Sequence, residues 1–175
     1  SDPPDGTVAV YADYVCPFCF LGRESLSRYQ DTREQRVELE WHPFDLRGSQ
    51  RADDGSIDPD AESGKDEAYY EEARANVRRL ADRYDVDMAQ EIASDVDSRN
   101  AQLASVNVQM DFPDDWLAFD EALYDALWRD GRDIGDPKVL TDLASDVGVG
   151  PQAVEDALSD AMVERRLEDR FEAAR

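Results

Sequence analysis

Residues 7–15, TVAVYADYV, are apolar or small on both alternating faces. Val8, Val10, Ala12 and Tyr14 lie on one face, Ala9, Tyr11 and Val15 on the other, and Asp13 breaks the pattern. Such a run predicts a central strand covered on both sides. From Pro17 to about Arg33 the period lengthens, with Phe18, Leu21, Leu26 and Tyr29 at helical spacing and charge between them. Residues 37–44, VELEWHPF, alternate again: Val37, Leu39 and Trp41 face one way, Glu38, Glu40 and His42 the other. That predicts an edge strand with one wet face. Strand, helix and strand in succession make a βαβ unit with parallel strands and a right-handed crossover.

The remainder reads as helical. Residues 47–65, rich in Gly, Ser and Asp, form a loop leaving the βαβ unit. Residues 66–84 then carry Tyr69, Ala73, Val77, Leu80 and Tyr84 at helical spacing. Residues 116–129 carry Trp116, Phe119, Leu123, Leu127 and Trp128, a stripe wide enough to be buried on two sides. Asp136-Pro137 and Gly150-Pro151 mark two more helix starts, and residues 163–175 continue as helix. No strand is predicted after Phe44, and no internal repeat is present. Two parallel strands cannot form a stable sheet alone, so something is expected on the other edge of the first strand.

Charge adds a second constraint. The 175 residues hold 42 acidic and 19 basic side chains, for a net −23; 28 of the acids are Asp, and Lys65 and Lys138 are the two lysines. The acids are spread over every segment, which predicts a solvated acidic surface instead of a disordered tail. An Asp-rich, Lys-poor balance resembles proteins of salt-loving organisms, where molar salt screens self-repulsion. The same charge disfavours nucleic acid and anionic membrane as partners. No stretch approaches the length of a membrane span. The polar, acidic start SDPPDGTVAV lacks the features of a secretory signal.

The candidate chemistry is DYVCPFCFLG, residues 13–22, which contains both cysteines of the chain. Cys16 is expected as N-cap of the first helix, with Pro17 at its first position, where no N–H donor is needed. A Cys16 thiolate could accept from the Phe18 or Cys19 amide and gain from the positive helix end. Such thiols have pKa values of roughly 3.5–7.5 against about 8.5 for free cysteine. Cys19, one turn inside, lacks this help, so Cys16 is expected to attack and Cys19 to resolve. A zinc site needs four ligands; two cysteines and the single His42 do not supply them. CxxC beside a βαβ pattern points to redox chemistry, although a plain buried pair is the bland alternative.

DYVCPFCFLG, the WHPF of residues 41–44 and ALWRDGRDIGDPKVL of residues 126–140 together resemble the DsbA-like thioredoxin superfamily, and within it the FrnE-type protein disulfide oxidoreductases. CPFC followed by FLG is the most specific piece, and the resemblance runs from about residue 7 to 175. It implies an α/β fold: a thioredoxin-like βαβ unit with a large all-helical insertion. Residues 1–46 and 162–175 would form the thioredoxin-like domain and 47–161 the helical insertion domain. It implies that Cys16 is the nucleophile and Cys19 the resolving thiol, with Pro17, Phe18 and Asp13 in support. Such proteins usually carry a buried acid six residues before the first cysteine, where Val10 stands here; Asp13 would relay protons or cap the loop. The family's ββα half, with a cis-proline against the cysteines, would follow Arg175. Neither Pro43 nor Pro113 lies in that place. The expectation is therefore a truncated chain, or one completed by a second copy as a homodimer, carrying the chemistry without full activity.

The function implied is exchange of disulfides with protein dithiol or disulfide substrates or a small thiol, in the cytoplasm, with no cofactor or metal. Pro-Phe offers no ionisable group to support the thiolate, which predicts a potential nearer thioredoxin's ~−270 mV than DsbA's ~−120 mV. GRDIGDP and the aromatic helix before it also resemble 2-hydroxychromene-2-carboxylate isomerases and kappa-class glutathione transferases. Those usually place Ser where Cys16 stands and need no second cysteine. A scaffold role for the helical part is the third option. Trp116, Phe119 and Trp128 read chiefly as core, with some share in roofing the active-site cleft.

Overall fold

A computed structural model describes residues 6–175; residues 1–5, part of the polar start and of the first expected domain, lie outside the described residues. β1 (Thr7–Ala12) and β2 (Glu38–Pro43) pair in parallel, from Thr7 opposite Glu38 to Ala12 opposite Pro43, and α1 (Pro17–Asp31) joins them. The expected βαβ unit is present with tighter bounds. β1 stops at Ala12 because Asp13 turns the chain: the Cys16 amide donates to the Asp13 carbonyl at 3.1 Å, and the Val15 amide to its carboxylate at 3.2 Å. α1 ends at Asp31, where the Thr32 amide and hydroxyl both donate to the Tyr29 carbonyl.

The alternation of β2 appears as expected, with Trp41 buried and Glu38 and Glu40 exposed. β1 differs from the expectation of a strand covered on both sides. Thr7 to Val10 are only half-buried and Tyr11 is 56% exposed. The reason is that β2 is its one strand partner among the described residues, leaving the other edge of β1 unpaired. Tyr11 finds cover by stacking on His42, ring centroids 4.5 Å apart at 13°. His42 also sits 3.5 Å from Glu40, and among the described residues no group of potential metal ligands includes it.

Six helices follow: α2 (Glu67–Tyr84), α3 (Arg99–Asp111), α4 (Trp116–Trp128), α5 (Pro137–Asp146), α6 (Pro151–Ala157) and α7 (Ala161–Ala173). Asp66, Asp136 and Asp160 cap three of them, each accepting from an amide of the first turn at 2.8–2.9 Å. The Asp160 cap starts α7 two residues before the sequence pattern does. α3 was not announced by periodicity, because residues 101–108 are buried all round. None of the described helices is long and apolar enough to cross a membrane.

The segment between β2 and α2 is fastened, although it reads as a loop. Arg51 donates to both carboxylate oxygens of Asp45 (2.8 and 3.1 Å) and of Asp97 (2.8 and 3.1 Å), tying the exit of β2 to the approach to α3. A single hydrophobic core runs from Ala12 and Trp41 through Leu103, Phe119, Leu123 and Trp128 to Leu167 and Phe171. α7 closes it over β2: Arg170 donates to the Trp41 carbonyl at 2.6 Å, and its guanidinium lies 5.5 Å from the Trp41 ring centroid.

Candidate active site at the start of α1

Cys16 is the N-cap of α1, in extended conformation, with Pro17 at the first helical position. Its carbonyl accepts the Cys19 and Phe20 amides at 3.1 and 3.2 Å. No amide closes a cap hydrogen bond onto its sulfur, which departs from the simplest form of the N-cap expectation. The thiol is nevertheless lowered to about 7. A hydrogen bond from Cys19 is the largest cause, burial opposes it, and the Cys19 and Phe18 amides assist without reaching full hydrogen-bond geometry. Cys19 moves the other way. It shares its proton with Cys16, is desolvated, and feels the Cys16 charge, all of which raise it. Both cysteines are free and half-buried, so the structure is that of the dithiol state. Phe18, at the rim, is 41% exposed.

Asp13 sits beneath the pair, 1% exposed. Its two oxygens accept the Val15 amide at 3.2 Å and the Leu46 amide at 2.8 Å, so it binds the active-site turn to the segment after β2. Burial raises its carboxyl to about 6, against opposing help from Ser98 and the two amides. Its charge pushes both thiols up. The loop-capping geometry and a carboxyl that titrates near neutrality therefore coincide in one residue. Val10 stands half-buried on β1 and carries no proton.

The turn is held by residues from the middle of the chain, on α3 and α4. Trp128 at the end of α4 donates its Nε1–H to the Tyr14 carbonyl at 2.9 Å. The Tyr14 hydroxyl, fully buried, donates to Asp120 Oδ1 and contacts Ser105 Oγ, both at 2.8 Å, and Trp116 Nε1 donates to the same Ser105 oxygen at 2.9 Å. Asp120, with no exposure at all, is ion-paired with Arg23 on α1. Trp116, Phe119 and Trp128 are thus core, and none lines the cleft at Cys16. The GRDIGDP segment is a joint: Ile134 is fully buried, Asn100 donates to the Gly135 carbonyl at 2.9 Å, and a side chain at Gly135 would meet the Asp97 carbonyl at 3.0 Å.

A cleft of about 470 Å³ opens beside Cys16, between the start of α1, the segment after β2, and α2. Phe18, Ile57, Tyr69 and Tyr70 give it apolar walls, and Lys65 and Arg47 supply positive charge. Lys65 lies 5.0 Å from the Tyr69 ring centroid. Local sequence pattern marks the cysteines and Asp13 but not Tyr14, Arg23, Asp120 or Lys65. One signal was available: Asp120 is an acid inside the apolar stripe of α4, between Trp116 and Tyr124, and such an acid needs a buried partner.

Residues 7–175 match the family of DSBA-like thioredoxin domains. The Bacillus subtilis protein YwbO is 25% identical over 151 residues, covering 86% of this chain and 70% of its own. Among solved structures, a 2-hydroxychromene-2-carboxylate isomerase superposes with a TM-score of 0.72 at 16% identity, covering 96% of this chain and 78% of its own. The cytosolic disulfide reductase DsbM of Pseudomonas aeruginosa, solved with GSH, superposes at 0.64 and 16%, covering 95% and 76%. At these identities the two structures show a shared fold.

Proposed function

Since this chain belongs to the family of DSBA-like thioredoxin domains, we propose that it is a thiol-disulfide oxidoreductase working through the Cys16–Cys19 dithiol on protein or small thiols. The observation that carries this is the placement of the dithiol: Cys16 caps the start of α1 ahead of Pro17 and opens onto a cleft, with Cys19 one turn inside, and Cys16 is lowered to about 7 while Cys19 is raised. On this reading Cys16 attacks, Cys19 resolves the mixed disulfide, and Asp13 accepts and returns the proton that Cys19 must lose. Pro17 fixes the helix start and Phe18 borders the cleft in which the substrate thiol lies. CPFC followed by FLG supports placement with the FrnE-type enzymes. A reducing-side dithiol suits a cytoplasmic setting, and the Asp-rich surface suits a high-salt one. Residues 47–161 serve as a helical insertion within the thioredoxin-like unit, and a homodimer is the arrangement in which a second copy covers the free edge of β1.

The test is reduction of insulin disulfides by dithiothreitol. Cys16→Ser should lose the acceleration, and Cys19→Ser should accumulate a mixed disulfide through Cys16. Equal activity of wild type and Cys16→Ser overturns the reading. The second reading is an isomerase or glutathione transferase of the 2-hydroxychromene-2-carboxylate isomerase kind. Its support is the 0.72 superposition and the presence of Lys65 and Arg47, alongside Asp58, in the cleft beside Cys16, where a cation could meet the carboxylate of a small thiol. Glutathione conjugation that survives Cys19→Ser would favour it.

A further inference from the structure

Tyr124 carries a buried hydroxyl that the site as described does not use, on a ring packed among Tyr14, Phe20 and Arg23 near the start of α1. Its ring lies edge-on to Tyr14, centroids 4.8 Å apart, and 6.3 Å from Phe20, the residue after Cys19. The Arg23 guanidinium sits 5.6 Å from its centroid. Cys19 and Arg23 are four residues apart on α1 and share the face that Tyr124 covers. The residue is 3% exposed, and its oxygen has no hydrogen-bond partner; nearby, Asp120 Oδ1 and Ser105 Oγ contact Tyr14, Trp116 donates to Ser105, and Asp120 Oδ2 faces Arg23. An orphaned buried hydroxyl is uncommon and unfavourable, and phenylalanine would fill the same space without one. Burial keeps the phenol protonated, and among surrounding charges Cys19 acts on it most, ahead of Arg23, Asp13 and Cys16.

We propose that Tyr124 donates a hydrogen bond to the Cys19 sulfur when the Cys16–Cys19 disulfide opens. This rests on the exchange reading above. In that step a substrate thiolate attacks Cys16 Sγ. The bond between substrate sulfur and Cys16 forms, the Cys16–Cys19 bond breaks, and the electron pair leaves on Cys19 Sγ. No net oxidation occurs, and one negative charge moves from the substrate onto Cys19. That charge arrives in a buried place beside the Asp13 carboxyl, which opposes it. A neutral O–H donor there offsets the opposition. In the dithiol state Cys19 shares its hydrogen bond with Cys16, so the phenol has nothing to do. Its lack of a partner in this structure follows from the redox state.

The experiment compares oxidised wild type with oxidised Tyr124→Phe, reduced by 2-mercaptoethanol between pH 6 and 9, together with iodoacetamide labelling of reduced Cys16 and thermal melts. Loss of one charge-assisted hydrogen bond should slow reduction about tenfold. Cys16 labelling should stay within about twofold and the melting temperature at or above that of wild type. An unchanged reduction rate with a raised melting temperature overturns the proposal, since Tyr124 is then a space-filling orphan. Slowed Cys16 labelling overturns it too, as a general distortion. A wild type that forms no thiol-reducible disulfide overturns the exchange reading itself, and Tyr124 with it. Should Tyr124→Phe not fold, the ring-carbon signal of Tyr124 in wild type alkylated at Cys16 decides: it should follow the titration of Cys19, and independence from it refutes the proposal.

Discussion

Replacing Asp13 by Asn tests the buried carboxyl directly. Its rise from 3.8 to about 6 makes the ionised form about 3 kcal/mol less favourable inside the fold. A carboxyl raised in the folded state favours the fold most when protonated. That benefit is complete below about 3.8 and is lost as pH rises through about 6. Wild type therefore carries an ionisation penalty of about 1 kcal/mol at pH 4.5 and about 3 kcal/mol at pH 8. Asn carries no such penalty but has one acceptor oxygen where Asp has two. One of the Val15 and Leu46 amides loses its partner relative to the carboxylate, so Asn resembles the protonated acid that wild type holds at pH 4.5. Asp13→Asn should thus gain on wild type by about 2 kcal/mol on moving from pH 4.5 to pH 8. Urea unfolding of both proteins at the two pH values measures this, and the other carboxylates cancel in the comparison. Because the group is buried, the difference should persist in molar KCl. With its charge gone, the alkylation midpoint of Cys16 should fall below about 7. A loss independent of pH, or larger at pH 8, refutes the assignment of a raised carboxyl.

Other outcomes follow from the same structure. Asp120→Asn leaves Arg23 buried and unpaired, so it should lower stability by about 3–5 kcal/mol in denaturant unfolding. The double variant Arg23→Met, Asp120→Leu should recover much of that loss; failure to recover any would mean that the loss comes from the Tyr14 hydrogen bond to Asp120 and not from the unpaired Arg23 charge. Raising KCl from 0.1 to 1 M shortens the screening length from about 10 to about 3 Å. With a net charge of −23 the melting temperature should rise over that interval; a fall would contradict surface repulsion as the limiting term.

The parts legible in the sequence were those governed by local rules. β1, α1 and β2 announced themselves by period, the helix starts at Pro137 and Pro151 by their caps, and the dithiol by its spacing. What escaped depends on partners far along the chain. α3 has no exposed face along residues 101–108, so its pattern resembles no amphipathic template; its polar residues are spent inside, Gln102 on the Phe44 carbonyl and Ser105 on Tyr14 and Trp116. Tyr14 looked like one more apolar strand residue until Asp120 and Arg23 arrived from other helices. β1 looked fully covered because pattern reports what a strand can bury, while coverage depends on what lies beside it.

The hydrogen bond from Trp128 to the Tyr14 carbonyl has a thermodynamic consequence. The stability difference between disulfide and dithiol forms is the redox potential expressed on another scale, about 1.4 kcal/mol for each 30 mV. A bond that spans 114 positions and ends two residues before Cys16 places the last turn of α4 inside that cycle. Any change at Trp128 that prefers one redox form must therefore alter the potential. On the exchange reading, the potential would answer to the core through this bond as well as to Pro-Phe, its nearest contributor.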